Sequence, residues 1–459
     1  MFFCVPGEKV DGHEFAPAAV EGGAVALVVE RELELDVAQV VVPDARAAMA
    51  PIAARFWGDP TEELKVVGVT GTNGKTTTAF LIKEILEAAG VGCGLLGTVM
   101  QVVGGREEEV ERTTPEAIDL QATFRRMLDA GDRVCAMEVS SHALALHRCD
   151  ATDFEVALFT NLTQDHLDFH GDMEEYFQSK RALFAAGPGT SIVNLDDPYG
   201  RRLAEEFDCI TFSASGRDAQ IIATEVKIGA TGAEFNVVEA MGGETISMDA
   251  KRRPPAGVVR TRLPGDFNVA NALGAFAVAT ALGVEPDAAA AGLAEAAPPP
   301  GRFEPVDEGQ DFAVLVDYAH TPDSLENVLR AARRLTAGRV ISVFGAGGDR
   351  DRDKRPKMGR AGAELSDIAI VTSDNPRSES PEAIVAGVLA GVEDRSNVEA
   401  EVDRRAAIVL ALGRAEPGDT VVIAGKGHEQ GQEFEGGRKV PFDDREVARE
   451  ELRKLGSPS

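Results

Sequence analysis

Apolar residues come in short runs along the chain, separated by stretches with helical spacing. Ala24–Glu30 (AVALVVE) and Val37–Pro43 (VAQVVVP) read as strands. A short helix is predicted before the first, with Pro17 near its start and Gly22 just past its end. Lys65–Val69 (KVVGV) predicts a buried strand that runs through a glycine-rich turn into a helix from Lys75 to Ala89. On that helix Leu81, Ile82, Ile85, Leu86 and Ala89 share one face, and Gly90 stands where a C-cap glycine belongs. Further strands are expected at Arg133–Val139, Val156–Asn161, Ser191–Leu195 and Cys209–Phe212, with helical patterns between several of them. Such alternation predicts a mainly parallel sheet covered on both faces. Ala288–Pro300 (AAAAGLAEAAPPP) predicts a helix followed by a stiff linker. The alternation then restarts at Ala313–Asp317, Arg339–Phe344, Ile368–Thr372 and Thr420–Ala424, as in a second, doubly wound α/β domain. The expected division is 1–64, 65–300 and 301–459.

Length agrees with that division, since 459 residues, 44% of them hydrophobic, exceed what one core organises. No apolar run approaches the roughly 20 residues of a spanning helix. The start, MFFCVPGEKVDGHEF, lacks a basic stretch followed by an apolar one, so it is a poor signal peptide. A cytoplasmic protein with no membrane partner is expected. The five cysteines are odd in number and show no CxxC spacing, which favours buried reduced thiols over disulfides or a thiolate metal site. A net charge of −29 argues against nucleic-acid binding. An anionic small molecule is still allowed, because a local cluster of Lys, Arg and backbone N–H groups overrides the global field at close range. Solubility is the plainer reading of the acidity.

Candidate chemistry begins between the first buried strand and its helix. There Gly71, Thr72, Asn73, Gly74, Lys75, Thr76 and Thr77 form a glycine-rich loop. Glycines let backbone N–H groups approach phosphate oxygens, and the helix N-terminus adds its positive end. Lys75 offers charge to the outer phosphates and the Thr76 hydroxyl suits Mg2+. Val69 stands where a strict Walker pattern wants its first glycine. Alone, the loop predicts a nucleoside triphosphate site and does not separate a ligase from a kinase or a GTPase.

Eight strings occur in order: GTNGKTT (from Gly71), EVSSH (from Glu138), NLTQDHLD (from Asn161), YFQSKRALF (from Tyr176), GDFNVAN (from Gly265), DYAHTP (from Asp317), DNPR (from Asp374) and GKGHE (from Gly425). Together they resemble the Mur ligase family over nearly the whole chain. The last two resemble members that add meso-diaminopimelate. The resemblance implies an N-terminal domain for a UDP-linked substrate, a central P-loop-type ATPase domain and a C-terminal Rossmann-like domain for the incoming amino acid. It also implies the reaction. ATP phosphorylates a carboxylate to an acyl phosphate, an amine attacks, and phosphate leaves. Catalysis is then mostly positioning and electrostatic stabilisation.

The family pattern carries roles onto particular residues. Glu138 and His166 are implied in Mg2+ binding, with Thr76 holding the ion on ATP; a solvated carboxylate at a strand end is the bland alternative. Lys180 matches a lysine that CO2 carbamylates, giving an anion that helps hold a second Mg2+. Thr113, Thr114, Ser140 and Arg148 match positions holding the UDP-sugar peptide, although Leu146 stands where some relatives carry glutamine. Asn268, Asn271, Arg302 and Asp317 match positions near adenosine and phosphates. Helix-start and turn roles would also explain these four singly.

Diaminopimelate carries a second amino-acid head at its far end. Arg377 offers a bidentate fork for that carboxylate. Glu429 and the Gly425 carbonyl suit the ammonium, Asp374, Asn375 and Pro376 shape the loop, and Arg350 is the matching second arginine. Lysine lacks the distal carboxylate and would leave Arg377 unpaired, so diaminopimelate is the expected amine. The partners implied are therefore UDP-muramoyl dipeptide, diaminopimelate and ATP, bound by a monomer. A lysine-adding Mur ligase and a folylpolyglutamate synthase-like ligase are the alternatives.

Relatives begin some tens of residues earlier, with a segment that contacts uridine. Met1 falls inside the equivalent of a strand, while Gly7–Val10 and Asp11–Phe15 still match the first domain. The expectation is a first domain that folds poorly or binds the UDP substrate weakly until upstream residues are added.

Overall fold

The computed structural model of the chain describes residues 1–7, 10–108, 110, 112–229, 232–239 and 257–455. Glu8 and Lys9 of the first-domain match lie outside the described residues. The two runs read as strands near the start form Ala26–Val29 and Ala38–Val41. With Phe2–Phe3 they make a three-stranded parallel sheet in the order of the chain. The helix expected before them spans Ala16–Glu21, with a proline in its first turn and Gly22 as its C-cap. This sheet closes on a small core of Cys4, Ala16, Leu27 and Val29.

An eleven-stranded sheet forms the middle of the molecule. An inner strand, Lys65–Thr70, is paired in parallel with Val134–Glu138 on one side and Phe154–Phe159 on the other. Cys93–Leu96, Thr190–Asn194 and Cys209–Ser213 extend the parallel core outward. Both edges turn antiparallel. The strands Gln101–Val103 and Arg106–Glu108 form one edge, and Gly232–Glu239 and Gly257–Thr261 form the other, next to Ile221–Gly229. Sequence reading missed these edge strands. Ile221–Gly229 buries only its first residues, so it lacks the apolar run that marks the inner strands.

One face of the sheet is covered by the helices Lys75–Ala88, Asp266–Ala281 and Pro286–Glu295, in a core that includes Ile82, Ile85, Phe276 and Leu293. Burying each such side chain contributes about 1.5–3 kcal/mol. Asp266–Ala281 is apolar nearly all round because it is packed on several sides. Its buried polar residues, Asn268 and Asn271, sit in the first turns, where the site lies. The other face is covered by Ala117–Ala130 and Met173–Ala185.

The six-stranded C-terminal sheet runs Glu304–Pro305, Ala313–Asp317, Thr420–Ala424, Val340–Phe344, Ile368–Val371, Val398–Ala400. All pairings but the first are parallel, and helices cover both faces, as in a doubly wound domain. A short antiparallel hairpin, Gly431–Phe434 with Arg438–Pro441, follows the last long strand. Parallel sheets place ligands at the carboxyl ends of their strands, where loops leave the sheet in opposite directions. Every string singled out in the sequence leaves such an end or lies on a helix packed beside one.

Candidate active site

The glycine-rich loop leaves Lys65–Thr70 and enters the helix Lys75–Ala88 through Gly74, whose φ of +86° disfavours any side chain. A Cβ there would collide with the Asn271 carboxamide. Thr160 and Asn161 hold the loop from the neighbouring strand. The Thr160 hydroxyl donates to the Asn73 carbonyl at 2.7 Å, and Asn73 N donates to Asn161 Oδ1 at 2.9 Å. Lys75 is curled back: Nζ donates to the carbonyls of Gly71 (3.0 Å) and Thr72 (2.7 Å). Burial pushes its ammonium below its ordinary pKa, while Glu138 and Asp165 oppose the shift. Thr76 and Thr77 lie buried in the first helical turn.

Glu138 ends the strand beside the loop and is 1% exposed. Its carboxylate accepts from Thr98 N at 2.7 Å and Thr98 Oγ1 at 3.1 Å. His166 follows the strand on the loop's other side, at φ +54°. Burial pulls its pKa down to about 4, with Asp165 opposing, so the imidazole is neutral and keeps a lone pair near pH 7. Lys180 lies on the helix Met173–Ala185, 1% exposed, and its Nζ donates to the Gly71 carbonyl at 2.8 Å. Burial first, and the Lys75 cation second, hold Lys180 well below the ordinary lysine pKa. Two lysines of the central domain thus converge on one loop carbonyl.

Two of the four residues expected near the nucleotide come from the C-terminal side. Arg302 reaches across and donates from Nη2 to Thr76 Oγ1 at 3.0 Å, with its guanidinium 4.5 Å from the Tyr318 ring centroid. Asp317 accepts from Phe303 N and Ala319 N, and burial raises its carboxyl to about 6 against the pull of Arg302. Asn268 and Asn271 bond to each other at 3.0 Å beside the loop. Asp323, which sequence reading did not single out, accepts from Asn73 Nδ2 at 2.7 Å and Thr163 Oγ1 at 3.0 Å. Together these groups line a cavity of about 640 Å³ that takes in the glycine-rich loop, Glu138, His166, Arg302 and Asp317.

The four residues expected to hold the UDP-sugar peptide also gather. The Thr114 hydroxyl donates to the Glu138 carbonyl at 2.8 Å, and Ser140 N donates back to it at 3.2 Å. Thr113 Oγ1 is 3.1 Å from Thr98 Oγ1. Arg148 donates to the Thr114 carbonyl and pairs with Glu116 at 2.9 Å, while its buried Nε has no partner.

The second cluster occupies the carboxyl ends of the C-terminal strands. Arg404 and Asp444, both fully buried, form a two-bond ion pair, and Arg404 also donates to the Ala424 carbonyl at 3.0 Å. This fixes the strand end that carries Gly425, whose φ is +124° and whose absent Cβ leaves room for the Asp374 carboxylate. Asn375 Nδ2 donates to Glu429 Oε2 at 2.8 Å. Lys426, 0% exposed and given no role by sequence reading, donates to Asn375 Oδ1 at 3.0 Å and Glu429 Oε2 at 2.8 Å. The Pro376 carbonyl lies against Gly348. Arg350 is exposed and donates to its neighbour's Asp349 carbonyl. Arg377 already has partners within the chain: Nε donates to Glu433 at 2.9 Å and Nη1 to the Gly348 carbonyl at 2.8 Å.

His428, in the same loop, sits 5.3 Å from the Tyr318 ring, and its buried Nδ1 has no hydrogen-bond partner. Burial, reinforced by Arg302 and Arg445, lowers its pKa from 6.5 to about 3. The unfolded chain takes up a proton near pH 6.5 that the folded chain refuses until about 3. Stability from this group is therefore full above 6.5 and falls as pH drops through that window. Thermal unfolding of His428→Gln should show a flatter loss of Tm from pH 6.5 downward than the parent. An identical slope would contradict this.

The arrangement suits activation of an acid by a nucleotide and capture of an amine from the facing domain. Family models match three stretches: the Mur ligase family, catalytic domain, at residues 1–57, the Mur ligase middle domain at 69–279, and the Mur ligase glutamate ligase domain at 301–427. The chain belongs to the Mur ligase family. It is 45% identical over 460 residues to the UDP-N-acetylmuramoyl-L-alanyl-D-glutamate--2,6-diaminopimelate ligase of Geobacillus thermodenitrificans (strain NG80-2), covering 98% of this chain and 91% of that protein. A Streptomyces coelicolor protein of the same name is 46% identical, covering 99% and 90%. A solved structure described as UDP-N-acetylmuramoyl-L-alanyl-D-glutamate--2,6-diaminopimelate ligase superposes with a TM-score of 0.67 at 31% identity, covering 97% of this chain and 90% of that one. Folylpolyglutamate synthase from Mycobacterium tuberculosis shares the fold at a TM-score of 0.65 and 18% identity, with coverage of 90% and 96%.

Proposed function

We propose that this chain joins meso-2,6-diaminopimelate to the D-glutamate carboxylate of UDP-N-acetylmuramoyl-L-Ala-D-Glu, using ATP, in peptidoglycan precursor synthesis. The identity to proteins of that name over nearly the whole chain supports it. The observation that carries the chemistry is the placing of two clusters at strand ends. The glycine-rich loop, Glu138, His166 and Lys180 form one; Asn375, Arg377 and Glu429 form the other.

In this reading the loop amides and Lys75 hold the β- and γ-phosphates, and Arg302 adds a second cation. Thr113, Thr114, Ser140 and Arg148 orient the UDP-linked peptide so that its carboxylate meets the terminal phosphate. Among the described residues no set of three or more His, Cys, Asp or Glu side chains forms a ready-made metal cage. That fits Mg2+, which takes one or two protein ligands plus phosphate oxygens and water. Thr76, Glu138 and neutral His166 are the side chains that suit it. Mg2+ supplies neutralisation of phosphate charge when bound.

Lys180 is further read as carbamylated. Its lowered pKa leaves the neutral amine that attacks CO2, releasing one proton and giving a carbamate. Carbon-13 NMR after equilibration with labelled bicarbonate should show a carbamate signal that Lys180→Ala lacks. Identical spectra would exclude the modification. Among the described residues no helix is long and apolar enough to cross a membrane. The nucleotide-linked substrates support a cytoplasmic setting.

Purified protein with UDP-muramoyl dipeptide, ATP and Mg2+ should release phosphate when diaminopimelate is added and give the tripeptide by mass spectrometry. Lysine should replace it poorly. Equal release with lysine would favour the lysine-adding alternative, and no release with diaminopimelate would overturn the reading.

A further inference from the structure

Arg377 is held from more sides than a surface fork needs. Its backbone lies at φ +51°, the left-handed region that few non-glycine residues adopt. Its N donates to the Glu433 carbonyl at 3.0 Å, and a parallel bridge joins it to Phe434. Its Nε donates to Glu433 Oε2 at 2.9 Å. Glu433 N in turn donates to Asn375 Oδ1 at 2.9 Å, the same oxygen that receives Lys426. The Gly348 carbonyl takes Nη1 from the opposite loop. Glu433 therefore grips both the main chain and the side chain of Arg377, and ties them to the Asn375–Lys426–Glu429 network. Its position on the hairpin strand Gly431–Phe434 is independent of the two loops it joins.

We propose that Glu433 is a positioning residue for recognition of the distal carboxylate of the incoming amino acid, fixing Arg377 so that Nη2 and the remaining Nη1 hydrogen face that carboxylate. The inference rests on the proposed role of Arg377 in binding it. Two consequences follow from the pairing. Glu433 neutralises the guanidinium, so a simple anion finds no bare charge to seek. Lysine, which brings no distal carboxylate, meets an arginine already half satisfied. Discrimination then comes from the orientation of the free edge, and a fixed fork gives more selectivity than a mobile one of the same charge. Glu433 is a partly exposed residue of a short hairpin, and its pairing with Arg377 is the property that sets it apart from the other acidic side chains nearby.

The test compares Glu433→Ala, Glu433→Asp and Glu433→Gln with the parent and with Arg377→Ala, in full steady-state kinetics on the complete protein. Glu433→Ala should raise KM for diaminopimelate by about tenfold. KM for ATP and for the UDP substrate should stay within about twofold, a split that a general folding defect would not produce. Glu433→Asp keeps the charge but not the reach, and should behave like the alanine variant. Glu433→Gln keeps an acceptor at the same reach, and should recover to within about threefold of the parent. An unchanged or lowered KM for diaminopimelate in both Glu433→Ala and Glu433→Asp would overturn the proposal, since the carboxylate would then be a bystander or a competitor. If Arg377→Ala also left that KM unchanged, the reading of the amino-acid site itself would fail. A raised KM in Arg377→Ala alone would sink only the role of Glu433.

Discussion

Lys75→Ala is expected to lower kcat/KM for the complete reaction by roughly 10³-fold, the cost of removing a preorganised charge from a developing phosphoryl transition state. Lys75 Nζ now rests on the carbonyls of Gly71 and Thr72, within a loop pinned by Thr160 and Asn161. Carbonyls are weaker partners for an ammonium than phosphate oxygens are, so the arriving nucleotide should draw the side chain off them. The resting contacts keep the cation in the loop and cost little to exchange. Lys180 shares the Gly71 carbonyl, but burial and Lys75 hold its amine well below the ordinary lysine pKa; Arg302 lies on Thr76 and stacks on Tyr318, and its planar fork cannot occupy the lysine's place. Amine-dependent phosphate release measures the effect, with thermal unfolding as the control for folding. Activity above a tenth of the parent would show that the loop lysine is not the principal phosphate cation.

Arg377→Ala should cut the preference for diaminopimelate over lysine by about 10²–10³-fold, chiefly through lost use of diaminopimelate. A distal carboxylate desolvated in this cluster needs a charged donor, and leaving it unpaired costs more than the bond itself is worth. Glu429 would remain to meet the distal ammonium of diaminopimelate, with its carboxylate oriented by Asn375 and Lys426. The ratio of kcat/KM for the two amines, measured in competition, reads the effect. A preference that survives in Arg377→Ala would assign selectivity to other residues of the cluster, with Lys426 and Arg350 the first to examine.

Legibility in the sequence followed the range of the contacts. The glycine-rich loop was readable because its strand, turn and helix are contiguous, and each needs a residue type that the sequence displays. The inner strands were readable because strands buried on both faces are continuous apolar runs, as in Thr420–Ala424. The edge strands escaped because their exposed faces dilute that signal. Glu138, His166 and Lys180 had no local signature for the roles proposed for them. They meet because three separate segments converge around one strand end, and only family likeness suggested this. Contacts between the two large sheets left no trace at all: Asn73 and Asp323 lie 250 residues apart, and Lys357 donates to Gln164 across the same cleft. The partner of Arg377, Glu433, 56 positions on, could not be foreseen from a turn arginine after a proline.

In the proposed reaction ATP activates the glutamate carboxylate by transferring its terminal phosphate to it. Oxygen-18 in that carboxylate of the UDP-muramoyl dipeptide tests this in one reaction with ATP, Mg2+ and diaminopimelate. Attack on the γ-phosphate and expulsion by the amine should leave one labelled oxygen in each inorganic phosphate released, with ADP unlabelled. Label in AMP, or unlabelled phosphate beside newly formed tripeptide, would contradict an acyl phosphate intermediate.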